Sequence, residues 1–218
     1  MEQANFYVFR NNSSYKDIYT WAISIIPESE MIEEGCDECE SYSEYPSGSF
    51  GVVCEGGSQY PDILGCGAYP FLIVSESVIF AWSTASKFEY HAFPVTVREV
   101  RSRSLHIKDA PKYFRIEIDG RCNIDLEASG FEIVTPCPAC GIAPKMRKGL
   151  DYTFFMTPNS WDGSSMFRDI SLFPLVSFCT ESLVDLAQRY KLTNFHFAPM
   201  QKQNPPSYKG IDYAKGER

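Results

Sequence analysis

Residues 76–95 read ESVIFAWSTASKFEYHAFPV, and residues 181–200 read ESLVDLAQRYKLTNFHFAPM. The two stretches align without a gap, at a constant separation of 181 − 76 = 105 residues. Four aligned pairs are identical: Glu76/Glu181, Ser77/Ser182, His91/His196 and Pro94/Pro199. Four more are similar: Val78/Leu183, Ile79/Val184, Tyr90/Phe195 and Val95/Met200. The pattern predicts a duplicated unit of one helix followed by one strand, with chance similarity between two amphipathic helices as the alternative.

In both copies, a serine or threonine that can cap a helix comes first, and a strand-like apolar run follows the helix. The expected caps are Ser75 or Ser77 in the first copy and Thr180 in the second. The helices are expected to continue to Ala85 in the first copy and to cover residues 181–190 in the second. The expected strands are 93–100 and 194–197.

The chain outside these copies reads mainly as strands. The predicted strands cover residues 5–10, 19–26, 70–74, 113–118 and 131–134. Residues 28–67 are rich in Gly, Ser, Glu and Cys and predict loops and short strands. We therefore expect an α+β fold with mixed or antiparallel sheets and a few short helices. Residues 1–200 are expected to form one domain, with two lobes (about 1–110 and 111–200) as an alternative, and residues 201–218 a loose polar tail.

Two CxxC motifs are the strongest chemical signal: Cys36-Asp-Glu-Cys39 and Cys137-Pro-Ala-Cys140. Together they supply the four thiolates of a tetrahedral structural zinc site. The motifs lie 137 − 36 = 101 residues apart, so the ion would join two distant segments. Closing a long loop costs only slightly more than closing a short one. We expect one structural Zn²⁺ per chain, with no open coordination position for catalysis.

Other roles for the cysteines stay open at this point. Either CxxC could be a thioredoxin-like redox pair. Cys54 and Cys66 could instead complete a local zinc site with Cys36 and Cys39. Otherwise Cys54, Cys66, Cys122 and Cys179 are expected to be buried thiols that pack as small apolar side chains.

Composition limits the class of protein. With 44% hydrophobic residues the chain can bury a sizeable core, and its net charge of −8 opposes general binding to nucleic acid. The first residues do not resemble a secretory signal, and the longest apolar run, near residues 70–74, is too short to span a bilayer. We expect a cytoplasmic protein without a membrane partner, in a compartment where disulfides are rare.

The acidic residues are concentrated in one part of the chain. Residues 17–86 contain 12 Asp or Glu and no Lys or Arg. Glu33, Glu34, Asp37 and Glu38 flank the first CxxC motif, and we predict that they bind a basic surface on a partner. A solvated acidic loop is the alternative.

No catalytic motif stands out. The three histidines are His91, His106 and His196, and two of them fall between aromatic residues in strand-like segments. Such histidines are more often structural than general bases. The chain has no GxSxG, HExxH or phosphate-binding glycine loop.

The two distant CxxC motifs, the second followed by Gly141, resemble the bacterial double-CXXCG motif proteins, first noticed as a paralogous group in myxobacteria. The runs FLIVS (71–75), FPLVS (173–177) and LTNFHFAPM (192–200) are similar to that family as well. The first motif departs from the pattern, because Glu40 follows it in place of glycine. The resemblance implies zinc ligation by Cys36, Cys39, Cys137 and Cys140.

The same resemblance implies an immunity protein that binds one cognate bacterial toxin domain and performs no chemistry. The competing hypotheses are a zinc-knuckle protein for nucleic acid or a nucleoprotein partner, and an enzyme with an unrecognised site. The charge balance opposes the first of these, since direct binding to nucleic acid would favour a basic face.

Overall fold

The computed structural model describes residues 5–11, 18–38, 41–66, 71–133, 137–139, 145–147, 153–169 and 176–200. Within these ranges the fold is α+β, with mixed and antiparallel sheets and two short helices, as predicted. None of the helices in these ranges is long and apolar enough to cross a membrane. The predictions for Cys39, Cys140 and the tail from residue 201 concern residues outside the described ranges.

The elements follow one another along the chain with these bounds. The first strands are β1 (Phe6–Asn11), β2 (Trp21–Pro27), β3 (Met31–Cys36), β4 (Ser41–Pro46), β5 (Phe50–Glu55), β6 (Ile63–Leu64) and β7 (Leu72–Ser75). The middle of the chain forms α1 (Glu76–Ser83), β8 (Tyr90–Arg101), a single 3-10 turn (Ile107–Asp109), β9 (Tyr113–Ile118), β10 (Ile124–Asp125) and β11 (Phe131–Ile133). The last elements are β12 (Lys145–Arg147), β13 (Phe155–Met156), β14 (Met166–Phe167), β15 (Ser177–Thr180), α2 (Glu181–Arg189) and β16 (Phe195–Pro199).

The predicted helix–strand duplication is confirmed, and the repeated structure includes strands outside the two stretches that align in the sequence. Both copies form a helix that begins at the aligned glutamate and a strand whose second residue is His91 or His196. Each helix belongs to a unit with four antiparallel strands. Their order is β6-β7-β9-β8 in the first unit and β14-β15-β1-β16 in the second. The first unit is thus β6, β7, α1, β8 and β9, and the second is β14, β15, α2, β16 and β1.

The strand registers of the two units correspond residue by residue. Phe114 on β9 pairs with Val74 and Pro94. Tyr7 on β1 pairs with Cys179 and Pro199, which lie 105 residues after Val74 and Pro94. The inner strand of the second unit therefore comes from the N-terminal end of the chain, whereas in the first unit it follows β8 directly.

Ser75 and Thr180 occupy the predicted N-cap positions, but neither side chain caps its helix. The Ser75 hydroxyl donates instead to Asp62 Oδ1 at 2.6 Å. The first helix ends at Ser83, before the predicted Ala85, with Thr84 N bonding back to Ala81 O at 3.2 Å. At Ser75, a contact with Asp62 has therefore replaced the local cap that the sequence suggested.

The two units share one core. It joins the inner faces of both sheets to the buried faces of both helices, and Val78, Ala81 and Trp82 of α1 pack in the same cluster as Leu183 and Leu186 of α2. Each sheet has a second apolar cluster on its other face. Both sheets are therefore covered on both sides, which explains their continuous apolar runs.

The first unit's sheet is extended by β5 and β2 to six strands, with β5 parallel to β8. A bridge between Ala22 and Cys66 joins β2 to the residues just after β6, so this sheet closes on itself. Ala22 N donates to Gly65 O at 2.7 Å across the closure. The enclosed residues include Phe50, Val52, Cys54, Ile73 and Tyr113.

Residues 21–55 form a two-stranded arm that we call the acidic arm. The β2–β5 pair forms its base, and the β3–β4 hairpin forms its outer part. Ser47 N donates to Glu30 O at 2.8 Å and Gly48 N to Ser29 Oγ at 3.0 Å, so the two parts are continuous. The sequence predicted loops and short strands here; the structure has six-residue strands in register.

The base of the acidic arm is fixed by one ion pair to β8. Arg98 Nε donates to Glu28 Oε1 at 2.6 Å, and the pair crosses over Gly51. A Cβ at Gly51 would lie 2.6 Å from Arg98 Cγ, which is closer than carbon atoms approach. A glycine is therefore needed at this position to leave room for the ion pair.

Candidate zinc site and partner surface

The outer end of the acidic arm carries the first CxxC motif. Cys36 is the last residue of β3 and pairs with Ser41, the first residue of β4. Asp37 and Glu38 form a turn and are exposed. In the second motif, Pro138 and Ala139 also form an exposed turn. Turns between the two cysteines suit a zinc knuckle, whereas a thioredoxin-like redox motif would open a helix.

The structure brings one cysteine of each motif together. Cys36 Sγ and Cys137 Sγ lie 3.7 Å apart, although 101 residues separate them. A disulfide joins its sulfurs at about 2.0 Å, so these two atoms are not bonded to each other. At this separation either thiol can donate a hydrogen bond to the other. Cys137 is 7% exposed and Cys36 is half-buried.

The observed separation fits a shared zinc ion. With Zn–S bonds of about 2.3 Å and tetrahedral angles, two sulfur ligands lie about 3.8 Å apart. The Cys36–Cys137 separation of 3.7 Å matches this edge of the tetrahedron. Among the described residues no group of three or more His, Cys, Asp or Glu could hold a metal ion. The predicted four-cysteine site also includes Cys39 and Cys140, which lie outside the described residues, so zinc ligation stays a prediction.

The local alternative with Cys54 and Cys66 is not supported by the arm's register. Cys54 pairs with Ala22, which lies 36 − 22 = 14 residues before Cys36 along the arm. At about 3.3 Å per residue this corresponds to about 45 Å of extended strand. Cys36, Cys54 and Cys66 are all described, and they form no metal-binding group.

Three of the remaining cysteines are buried thiols, as predicted. Cys54, Cys122 and Cys179 are 0%, 3% and 0% exposed. The pKa of Cys54 is raised to about 12, mainly by burial and to a smaller extent by the nearby Cys66. The pKa of Cys122 is also raised to about 12, mainly by burial and to a smaller extent by Asp169 and Asp162. Both side chains are therefore protonated near neutral pH and are poor nucleophiles and poor metal ligands.

The predicted partner residues lie beside the Cys36–Cys137 contact. Glu33 and Glu34 belong to β3, and Asp37 and Glu38 occupy the turn that follows it. The acidic arm holds nine acids and no Lys or Arg. Of the four predicted partner residues, Asp37 and Glu38 are exposed and directly follow Cys36. Whether it binds a partner stays a prediction.

The three histidines lie on separate elements: His91 in β8, His106 just before the 3-10 turn and His196 in β16. His91 Nε2 lies 3.4 Å from Asp119 Oδ2, with 69% of its side chain exposed. His196 is half-buried, and burial followed by the nearby Arg10 lowers its pKa. These two histidines occupy equivalent positions in the duplicated units, opposite Glu117 and Arg10 in the strand register.

Sequence reasoning missed a polar contact that joins the two units. Asp62 Oδ2 accepts hydrogen bonds from Thr193 N at 2.8 Å and Thr193 Oγ1 at 2.9 Å. Asn194 Nδ2 donates to Ile63 O at 2.8 Å beside them. No sequence signal pointed to this contact, because it joins residues 131 positions apart.

No model of a known protein family matches this chain. No curated protein matches it either. The resemblance to the double-CXXCG proteins therefore rests on the cysteine motifs and runs quoted for it, and membership of that family stays a prediction.

Proposed function

We propose that this protein binds and neutralises a cognate bacterial toxin domain, without catalysis, through the tip of its acidic arm. One Zn²⁺, held by Cys36, Cys39, Cys137 and Cys140, would fix that tip in place. The observation that carries the proposal is the 3.7 Å contact between Cys36 Sγ and Cys137 Sγ. It ties the end of a long hairpin to a segment 101 residues away, where an untethered hairpin end would be mobile.

A fixed acidic tip suits rapid and tight binding to a basic surface. Opposite potentials steer the two proteins together and raise the association rate, and salt weakens this effect. A loop that is already ordered loses less conformational entropy when it binds. Zinc would therefore contribute to affinity without contacting the partner. Toxins that act on nucleic acid present basic surfaces to phosphate, so we infer a nuclease-like target.

The proposal predicts that reversing the charge of the tip slows association with the cognate toxin domain. In the test variant Glu33, Glu34, Asp37 and Glu38 are all changed to Lys. We expect the association rate to fall at least tenfold at low ionic strength, and its dependence on salt to flatten. Surface plasmon resonance across a series of salt concentrations measures both quantities.

A matched control separates a local effect from a change in net charge. Glu89, Asp109, Glu127 and Asp185 are exposed acids away from the tip, and changing them to Lys alters the net charge equally. Both variants must first be shown to remain folded and zinc-loaded. Lys145 and Arg147 lie in β12, which follows Cys137 in the chain and pairs with β11. Equal association rates for the two variants would show that the tip is not the interface.

A further inference from the structure

A surface cleft of about 420 Å³ lies where the first turn of α1 meets the residues that follow α2. It is lined by Glu76, Ser77, Phe80, Tyr190 and Leu192. Phe80 is 62% exposed, the most exposed large apolar side chain in the described part of the chain. An aromatic ring so open to water contributes little to the core.

The two aromatic rings of the cleft are held in a defined arrangement. The Phe80 and Tyr190 ring centroids are 6.0 Å apart, with the ring planes at 86°. Tyr190 OH donates to Thr84 Oγ1 at 3.2 Å, which fixes the tyrosine ring against α1. Leu192 beside them is only 3% exposed. The cleft is thus a preformed aromatic surface with one carboxylate, that of Glu76, and no cation among its lining residues.

The duplication shows which of these residues the fold itself requires. Glu76 and Ser77 are kept in the second unit as Glu181 and Ser182. The other lining residues are not kept: Phe80 corresponds to Asp185, Tyr190 to Ala85, and Leu192 to Lys87. The second unit forms the same helix and sheet without an aromatic pair. Packing of the unit therefore does not require Phe80, and its exposure points to a binding role.

We propose that this cleft binds an arginine side chain of a basic protein partner. A guanidinium stacks on an aromatic face, and a cation within about 6 Å of a ring centroid is attracted by the ring. The Glu76 carboxylate, which has no ion-pair partner among the described residues, supplies the complementary charge. The inference rests on the proposed function in one respect, namely that the partner is basic.

The cleft can be tested without the toxin, using a hexa-arginine peptide as the probe and calorimetry as the readout. The key variant, Phe80→Asp, installs the residue that the second unit has at this position. It changes the net charge from −8 to −9, so attraction by charge alone predicts tighter binding. The cleft predicts the reverse, a loss of at least fivefold in affinity. Phe80→Leu, which removes the ring without adding charge, is expected to show a similar loss.

The matched control is Ser182→Asp, which adds the same charge at the equivalent helix of the second unit. We expect its affinity for hexa-arginine to equal or slightly exceed that of the unmodified protein. Hexa-lysine and the uncharged hexa-citrulline should bind more weakly and without dependence on Phe80. Equal or tighter binding of hexa-arginine by Phe80→Asp would overturn the proposal, and so would equal binding of either other peptide.

The proposal for the cleft and the proposal for the acidic arm can be contradicted independently. If reversal of the arm slows toxin association while Phe80→Asp leaves hexa-arginine binding unchanged, the cleft proposal alone is wrong. If Phe80→Asp weakens hexa-arginine binding while arm reversal leaves toxin association unchanged, the cleft stands and the arm is not the interface. Thermal melting of each variant verifies that the helix pair is intact.

Discussion

At the scale of single residues, the cysteines fall into two environments. Cys54, Cys122 and Cys179 are enclosed by apolar side chains. Cys36 lies half-exposed at the end of the acidic arm, against Cys137. The chemistry of a thiol follows its thiolate fraction and its accessibility. The two groups should therefore differ in reactivity and in their response to zinc.

We predict that iodoacetamide at pH 8 leaves Cys54 and Cys122 unmodified in the folded protein. Their pKa values, raised to about 12 by burial, lie about four units above that pH, so almost no thiolate is present. Cys36 should be modified after zinc is removed and protected when zinc is added. Mass spectrometry of the digested protein reports each site, and rapid modification of Cys54 in the folded state would contradict the structure.

The sequence pattern singled out Cys36 and Cys137, and the structure places these two residues in contact; zinc ligation stays a prediction. Two intervening residues are a local requirement for two sulfurs on one ion, so CxxC can be recognised without a fold. Helix capping by Ser75 was predicted by the same local logic and was wrong, because the hydroxyl donates to Asp62, 13 residues away. A single sequence does not show such a competing partner.

At the scale of elements, the contact between Asp62 and Thr193 joins the two duplicated units. Thr193 Oγ1 accepts from Asp62 N at 2.9 Å and donates to Asp62 Oδ2 at 2.9 Å. A second hydrogen bond also joins the units. Ser165 N, just before β14, donates to Lys87 O, between α1 and β8, at 2.8 Å. Because the Asp62 carboxyl group accepts hydrogen bonds from several donors in the first contact, the loss of this group should be costly.

We predict that Asp62→Ala lowers the free energy of unfolding by about 2 kcal/mol. Thr193→Val should cost a similar amount, and the double variant should cost less than the sum, since the two side chains act on each other. Urea denaturation of the three variants gives the coupling energy. Glu127→Ala, at an exposed position, serves as the control. Additive effects of Asp62→Ala and Thr193→Val would show that the contact does not join the units.

The alignment of residues 76–95 with 181–200 predicted a helix and a strand in each copy, and both are present. The rest of each unit could not be read from the sequence. The short strands β6 and β14 contain two residues each, too few to show a period. The inner strand β1 lies at the other end of the chain from its unit. The strands with which β1 pairs decide which unit it belongs to, and a single sequence does not show that pairing.

At the scale of the whole molecule, the protein combines three features: a duplicated scaffold, an acidic arm built on one unit, and a contact at the arm's end with a distant segment. The scaffold is held by a shared apolar core. At the end of the arm, Cys36 contacts Cys137, which lies 101 residues away along the chain. Zinc bound there would convert metal affinity into order at the proposed interface.

Zinc content, measured as moles per mole of chain by elemental analysis, tests this account most directly. The unmodified protein, purified under reducing conditions, is predicted to carry one zinc per chain. The Cys36→Ser, Cys137→Ser double variant should carry almost none, because two of four thiolates are lost. The Cys54→Ser, Cys66→Ser control should keep the full amount. One zinc retained in the Cys36, Cys137 variant, or none in the unmodified protein, would contradict the account.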